Sequence, residues 1–214
     1  LFFYLYIVNE IVSPAWVLVP VGLQILLQSF VAIAQSILQS SLGLQKFGEL
    51  TLDPDQTGVS VVIGNGLRFL RGYGLSDHPN ILGGCLAFGL VLMLAVTLYG
   101  KRREFVLASV VFPVSFLALV MTFSRSAWIS FFVAGSFMVG CEALARRWNP
   151  LKRLILLGML SLLIVSPFLI KNISLFQSRV NSGNVAQDSP MQERAFLLDA
   201  GNAIFVEHSA IGVG

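Results

Sequence analysis

The sequence predicts an all-α, polytopic integral membrane helix bundle with an outer-face loop and an amphipathic helix on the same side. Three observations predict it. Of 214 residues, 56% are hydrophobic and only 12% are charged, where a soluble domain carries roughly 25% charged residues; mean hydropathy is +0.80. Five runs approach the length of about 20 apolar residues that a membrane-spanning helix needs. Half of the basic residues fall in two short links between those runs.

The elements follow in order. Leu1–Val8 is apolar and reads as the tail of a further span. The chain begins with Leu1 and stops at Gly212-Val213-Gly214. Both ends therefore read as cut, and the working protein is expected to be longer. The first run lacks the basic leader and small-residue cleavage site of a signal peptide. The spans are Ala15–Leu38, after Pro14, then Ile81–Tyr99, Phe105–Met121, Ser126–Leu144 and Leu154–Ile170.

Basic residues in short loops mark the cytoplasmic side. The link Gly100-Lys101-Arg102-Arg103-Glu104 and the link bearing Arg146, Arg147, Lys152 and Arg153 hold 7 of the 14 basic residues. Two spans separate these links, so both lie on one side, as the rule requires. The opposite side receives 39–80, the tight link Thr122-Phe123-Ser124-Arg125, and everything from Lys171 onward. Those segments carry 8 of the 11 acidic residues. The net charge of +3 is too small to indicate a nucleic-acid partner. Cys85 and Cys141 fall near opposite faces of the membrane, beyond the Cα separation of about 7 Å that a disulfide tolerates, and are expected to be free.

Within the outer loop, Val59–Ile63, Gly64-Asn65-Gly66 and Leu67–Leu70 fit either a short hairpin with a glycine-rich turn or a surface-lying segment. The tail from Asn172 to Asp188 is rich in Ser, Asn and Gln and reads as flexible. Ser189-Pro190-Met191-Gln192 then reads as a helix start, with Ser189 as N-cap, Pro190 as first helical residue and Gln192 closing a capping box. This helix runs to about Val206. Arg194, Leu197, Leu198, Gly201, Ile204 and Phe205 share one stripe at helical spacing, which puts Arg194 on the packed face.

Arg125 sits between two spans joined by almost nothing, so it stays at membrane depth. A charge there is costly and usually faces the bundle or a water-filled cavity; snorkelling to the interface is the bland alternative. Arg68 and Arg71 precede Gly72-Tyr73-Gly74-Leu75-Ser76-Asp77-His78-Pro79-Asn80, which leads into the second span. Pro79 is start chemistry for a helix, and Asn80 reads as a local cap. His78 taken alone is a loop residue before it is a base. If Arg71, Arg125 and Arg194 converge, they form an anion site just outside the lipid, because guanidinium groups recognise phosphate in bidentate fashion and keep their charge. Asp53-Pro54-Asp55 is turn chemistry rather than a metal-binding pair, with no cluster of hard ligands beside it. Gln24, Gln28, Gln35 and Gln39 form a polar stripe on the first span, explained by hydrogen bonding between helices. His208 has no evident partner, and Asn172-Ile173-Ser174 matches too common a sequon to use.

Four motifs carry a resemblance. Arg71-Gly72-Tyr73-Gly74 with His78-Pro79-Asn80 resembles the entrance to a span in the O-antigen ligase and polymerase superfamily. Thr122-Phe123-Ser124-Arg125-Ser126 resembles that family's Thr-x-Ser-Arg signature. Glu193-Arg194, then His208 and Gly212-Val213-Gly214, resembles its outer-loop pattern. The motifs stand in family order, at family-like spacing, over roughly Arg71–Gly214. Two departures stand out. Ser209 follows His208 where the family has Pro, and the family's Ala-His-Asn motif, which carries the usual candidate for general base, is expected beyond Gly214.

The resemblance implies an N-terminal membrane part with its outer loop, 1–80, and a ligase/polymerase-type core, 81–214. It implies a metal-independent inverting glycosyl transfer with no cofactor, on the periplasmic face of a bacterial inner membrane. The donor would be a glycan on undecaprenyl diphosphate. The acceptor would be a hydroxyl on a glycan, a lipid-linked sugar or a protein, with membrane lipid as surroundings and no nucleic acid. Arg125 and Arg194 would be the catalytic pair holding the diphosphate. Arg71, His78, Asn80 and Ser124 would line the substrate site. A transporter or flippase for a lipid-linked or anionic solute is the alternative, and a structural membrane subunit the third reading. Paired repeats and broken helices, which mark many transporters, are not visible in the sequence.

Overall fold

The computed structural model describes residues 15–64, 66–146, 148–180 and 189–208, without the side chains of 15–17, 179, 180 and 189–195. The apolar start Leu1–Val8, Asn65 in the expected turn, Arg147, and the Gly-Val-Gly end therefore lie outside the described residues, as do the Ser189 and Gln192 capping side chains. Two compact units are present, Leu1–Leu175 and Phe176–Gly214.

The first unit is the bundle. Its long helices are α1 (Ala15–Leu38), α2 (Pro79–Tyr99), α3 (Arg102–Met121), α4 (Arg125–Leu144) and α5 (Trp148–Lys171). All five are long and apolar enough to cross a membrane. The all-α polytopic class holds, and the span limits differ from the sequence reading by a few residues at the ends. Helix α2 is the central element, with Leu82, Leu86 and Leu90 fully buried. Ala118 and Leu119 of α3 and Leu157 of α5 close the same core. Leu23, Leu27 and Phe30 of α1 and Phe132 and Phe137 of α4 are exposed, as a lipid-facing surface requires.

Local chemistry fixes the helix ends. Pro79 opens α2 at its first turn, and the His78 side chain accepts a hydrogen bond from the Asn80 amide, so His78 is the N-cap. Asn80, expected to cap locally, has its side chain committed elsewhere. The Glu104 carboxylate accepts the Lys101 amide at 2.7 Å at the start of α3. Arg153 donates to the Gly100 carbonyl at 3.0 Å and lies 5.4 Å from the Phe105 ring centre. The two basic links thus meet at one end of the bundle.

At the other end, the loop between α1 and α2 folds into a hairpin of β1 (Val61–Gly64) and β2 (Leu67–Leu70), with Val61 opposite Leu70. Gly66 takes a positive φ of 77°, as a tight turn needs. The Asp53 side chain accepts the Asp55 amide at 2.9 Å, the turn geometry read from Asp-Pro-Asp. Cys85 and Cys141 are free.

One expectation is corrected. The stretch after Asn172 is not wholly irregular: it continues as helix α6 (Ile173–Val180), because Ile173, Leu175 and Phe176 supply an apolar side for a short helix. In the second unit, α7 (Ser189–Glu207) forms as expected.

Candidate functional site

The site is built on a run of backbone that descends the flank of α1. The glutamine stripe holds it there. The Gln39 side chain accepts the Leu70 amide at 2.7 Å. Gln35 pairs with both the amide and the carbonyl of Gly74, at 2.8 and 2.9 Å. Gln28 accepts the Leu75 amide at 2.7 Å. From Gln28 to Gln39 is about 16 Å along α1 and just past its end, a stretch flanked by the segment 70–75. The stripe therefore bonds to loop backbone, not to a neighbouring helix as the sequence suggested. The physical need is plain: irregular backbone beside a membrane helix must find its hydrogen bonds within the protein.

Gly72 and Gly74 make the descent possible. A Cβ at Gly72 would lie 3.2 Å from the Ala32 Cβ. Gly74 has a positive φ of 61°, and a Cβ there would collide with the Gln28 side chain.

Arg71 is the hub. It is 5% exposed, and each of its three guanidinium nitrogens reaches a different segment. Nε donates to the Thr122 carbonyl at 2.6 Å, Nη1 to the Ser60 hydroxyl at 2.7 Å, and Nη2 to Oδ1 of Asn80 at 2.6 Å. The Gly72 amide donates to the Met121 carbonyl at 2.9 Å beside it. One guanidinium thus joins the hairpin loop, the start of α2 and the link between α3 and α4. The planar fork suits three divergent acceptors where a point-charge ammonium would not.

The link itself is tightly held. Thr122, Phe123 and Ser124 are all buried. Phe123 adopts a positive φ of 49°, a conformation that is an outlier for a bulky residue. Its ring packs against Phe69, Trp128 and Phe168 at 6.0–6.3 Å. The Trp128 indole donates to the Leu119 carbonyl at 2.9 Å, which pins the same corner. On the opposite side the link meets Gly83 of α2, where a Cβ would fall 3.0 Å from the side chains of Ser124 and Ala127.

Ser124 is the N-cap residue of α4, without a side-chain capping bond, and Arg125 is the first residue of the helix. Arg125 is exposed at this corner. A cation at a helix N-terminus opposes the helix dipole by about 0.3–1 kcal/mol, so its placement is not explained by helix stability. An anion held there meets both the guanidinium and the amides of the first turn.

The structure therefore brings Arg71, His78, Asn80, Ser124 and the start of Arg125's helix to one corner. The Arg194 side chain lies outside the described residues. His208 ends α7 exposed, its amide donating to the Ile204 carbonyl at 2.9 Å.

Sequence reasoning missed three participants. Ser60 receives Arg71, but a serine in a loop gives no signal. Glu49 is buried and accepts from Gln35 at 2.8 Å, Leu42 at 2.7 Å and Leu44 at 2.6 Å. Burial alone would raise its pKa. The hydrogen bonds from Gln35 and the amides of Leu42, Leu44 and Gly43 outweigh that and hold it below the ordinary carboxyl value. The Thr122 carbonyl, a backbone group, is invisible to residue-type reasoning.

Residues 110–214 match the family model described as O-antigen ligase. No curated protein and no solved structure matches the chain.

Proposed function

The chain belongs to the O-antigen ligase and polymerase superfamily through residues 110–214, and on that premise we propose that it transfers a glycan from a polyprenyl-diphosphate donor to a hydroxyl acceptor at the outer face of a bacterial inner membrane. The observation that carries the reading is the joint between Arg71 and the Thr122 carbonyl. It locks the link that presents Arg125 at the uncapped start of α4.

The chemistry asks for anion stabilisation above all. The acceptor oxygen attacks the anomeric carbon from the face opposite the diphosphate. The bond from that carbon to the phosphate oxygen breaks, the lipid diphosphate leaves with the electron pair, and the configuration inverts. The acceptor proton passes to a general base that the resemblance places beyond Gly214. Donors fixed in advance where charge develops are commonly the largest contribution to such catalysis. Arg125 and Arg194 hold the diphosphate in this reading. Arg71 adds positive potential from behind while its nitrogens hold the link. Asn80 and His78 shape the cavity wall, and Ser124 turns the chain into α4. Arginine charge takes the place of a divalent cation, so no metal is required.

The test uses the full-length gene in a host lacking its own ligase and polymerase, following a lipid-linked glycan on gels. Arg125→Ala is expected to abolish transfer, with donor accumulating and protein level unchanged. Wild-type transfer by both Arg125→Ala and Arg194→Ala overturns the site. Movement of donor across the membrane without any transfer by the wild type replaces the reading with transport.

A further inference from the structure

We propose that Gln35 is a positioning residue that sets the direction of the Arg71 guanidinium, an inference that rests on the transfer reading above for its link to activity. Gln35 lies in the last turn of a membrane-spanning helix and is fully buried. A buried amide is costly unless its hydrogen bonds are met, so packing alone would be served better by Leu. Its capacity is two donors and two acceptor lone pairs, and all four are used. Nε2 donates to Oε1 of Glu49 at 2.8 Å and to the Gly74 carbonyl at 2.9 Å. Oε1 accepts the Gly74 amide at 2.8 Å and the Tyr73 amide at 3.3 Å. The side chain thus binds Gly74 through both backbone groups, as one strand residue binds its neighbour.

Two routes lead from this clamp to Arg71. Along the chain, it fixes Tyr73 and Gly74, two and three residues beyond Arg71. Through space, the buried Tyr73 phenol accepts the Ser60 amide at 2.5 Å, and the Ser60 hydroxyl accepts from Nη1 of Arg71 at 2.7 Å. Glu49 ties the other half of the loop to the same amide through Leu42 and Leu44. Gln28 and Gln39 each hold the descending segment by a single bond to its backbone. Gln35 alone of the stripe reaches both halves of the loop, and no other member makes four bonds among the described residues.

The test uses the full-length protein in lipid nanodiscs and has a readout that needs no substrate. In Gln35→Leu, amide exchange at Tyr73 and Gly74 is expected to quicken about tenfold or more, and the Arg71 Nε–H resonance to shift and lose protection. Transfer is expected to fall about 10- to 100-fold, the size that small misplacements produce. Gln35→Glu sets two carboxylates face to face and behaves like Gln35→Leu. Gln28→Leu, which removes a single bond to the Leu75 amide, is expected to quicken exchange there and to leave the Arg71 Nε–H resonance in place.

An unchanged Arg71 resonance in Gln35→Leu overturns the proposal, as does an equal shift of that resonance in Gln28→Leu. A wild type that transfers no glycan removes the transfer reading. The resonance in the two Leu variants then still decides whether Gln35 directs Arg71.

Discussion

Arg71 and Thr122 stand 51 positions apart in the chain and are joined by a 2.6 Å bond from guanidinium Nε to the carbonyl oxygen. The bond ties loop to link, and Asn80 and Ser60 complete the fork. Arg71→Lys keeps the charge but cannot reach three divergent acceptors. It is expected to lower transfer about 100-fold, since misplacement of this order follows when a clamp loosens. Arg71→Leu leaves the buried Thr122 carbonyl without its donor, at about 1–3 kcal/mol, and frees the half-buried Asn80 side chain. Thermal unfolding in detergent should show the larger loss for Leu; equal stability of all three proteins would remove Arg71 from the hub.

Phe123 combines a buried ring with a positive φ of 49°. Truncation to Ala loses the ring packing, about 3–5 kcal/mol, and keeps the backbone strain. Truncation to Gly loses the same packing but relieves the strain, which is worth roughly 1 kcal/mol or more at such a position. Phe123→Gly is therefore expected to be at least as stable as Phe123→Ala, the reverse of the usual order. Unfolding midpoints of the two variants, measured side by side, decide it; a clearly less stable Gly variant contradicts the strained corner.

These details show where the sequence was readable and where it was not. The five spans were legible because lipid demands long apolar runs, and the run lengths survive without knowledge of any contact. The hairpin was one of two readings that Gly64 and Gly66, after β-branched Val61, Val62 and Ile63, left open, and the structure shows it. The partners of the glutamine stripe were not. Periodicity places Gln28, Gln35 and Gln39 on one side of α1, but only the fold shows that a loop, and not a helix, lies against that side. Asn80 was misread for a related reason: its side chain serves Arg71, a long-range acceptor role that local spacing cannot distinguish from a cap. Arg71 itself stood out as a candidate, whereas its acceptor at Thr122 is backbone and carries no residue signal.

Neighbouring glycines on α2 offer an internal control. A Cβ on Gly83 would press on Ser124 and Ala127 at 3.0 Å and on the Thr122 hydroxyl at 3.2 Å, while Gly84 has nothing within 4 Å. Gly83→Val overpacks the corner and should cost about 1–3 kcal/mol, with transfer falling because the link before Arg125 is displaced. Gly84→Ala should be neutral or stabilising by up to about 1 kcal/mol, from helix propensity alone. Unfolding midpoints and transfer of both variants give the comparison, and equal behaviour would mean that α2 does not buttress the link.

Glu49 makes the site's outer scaffold sensitive to acid. Its folded-state pKa is held below the ordinary value of 4.5, so its contribution is fully present above that value. The contribution is lost as pH falls through the depressed folded pKa, because protonation removes the charge that its donors favour. Amide exchange at Leu42 and Leu44, corrected for its intrinsic pH dependence, should thus stay slow from neutral pH down to the carboxyl range and quicken below it. Glu49→Gln should exchange faster at neutral pH, having only one good acceptor oxygen for two amides and Gln35, and its corrected rate should not change between neutral pH and about pH 3. A wild type whose corrected exchange is flat over that range would show that the carboxylate's charge contributes nothing to holding the loop.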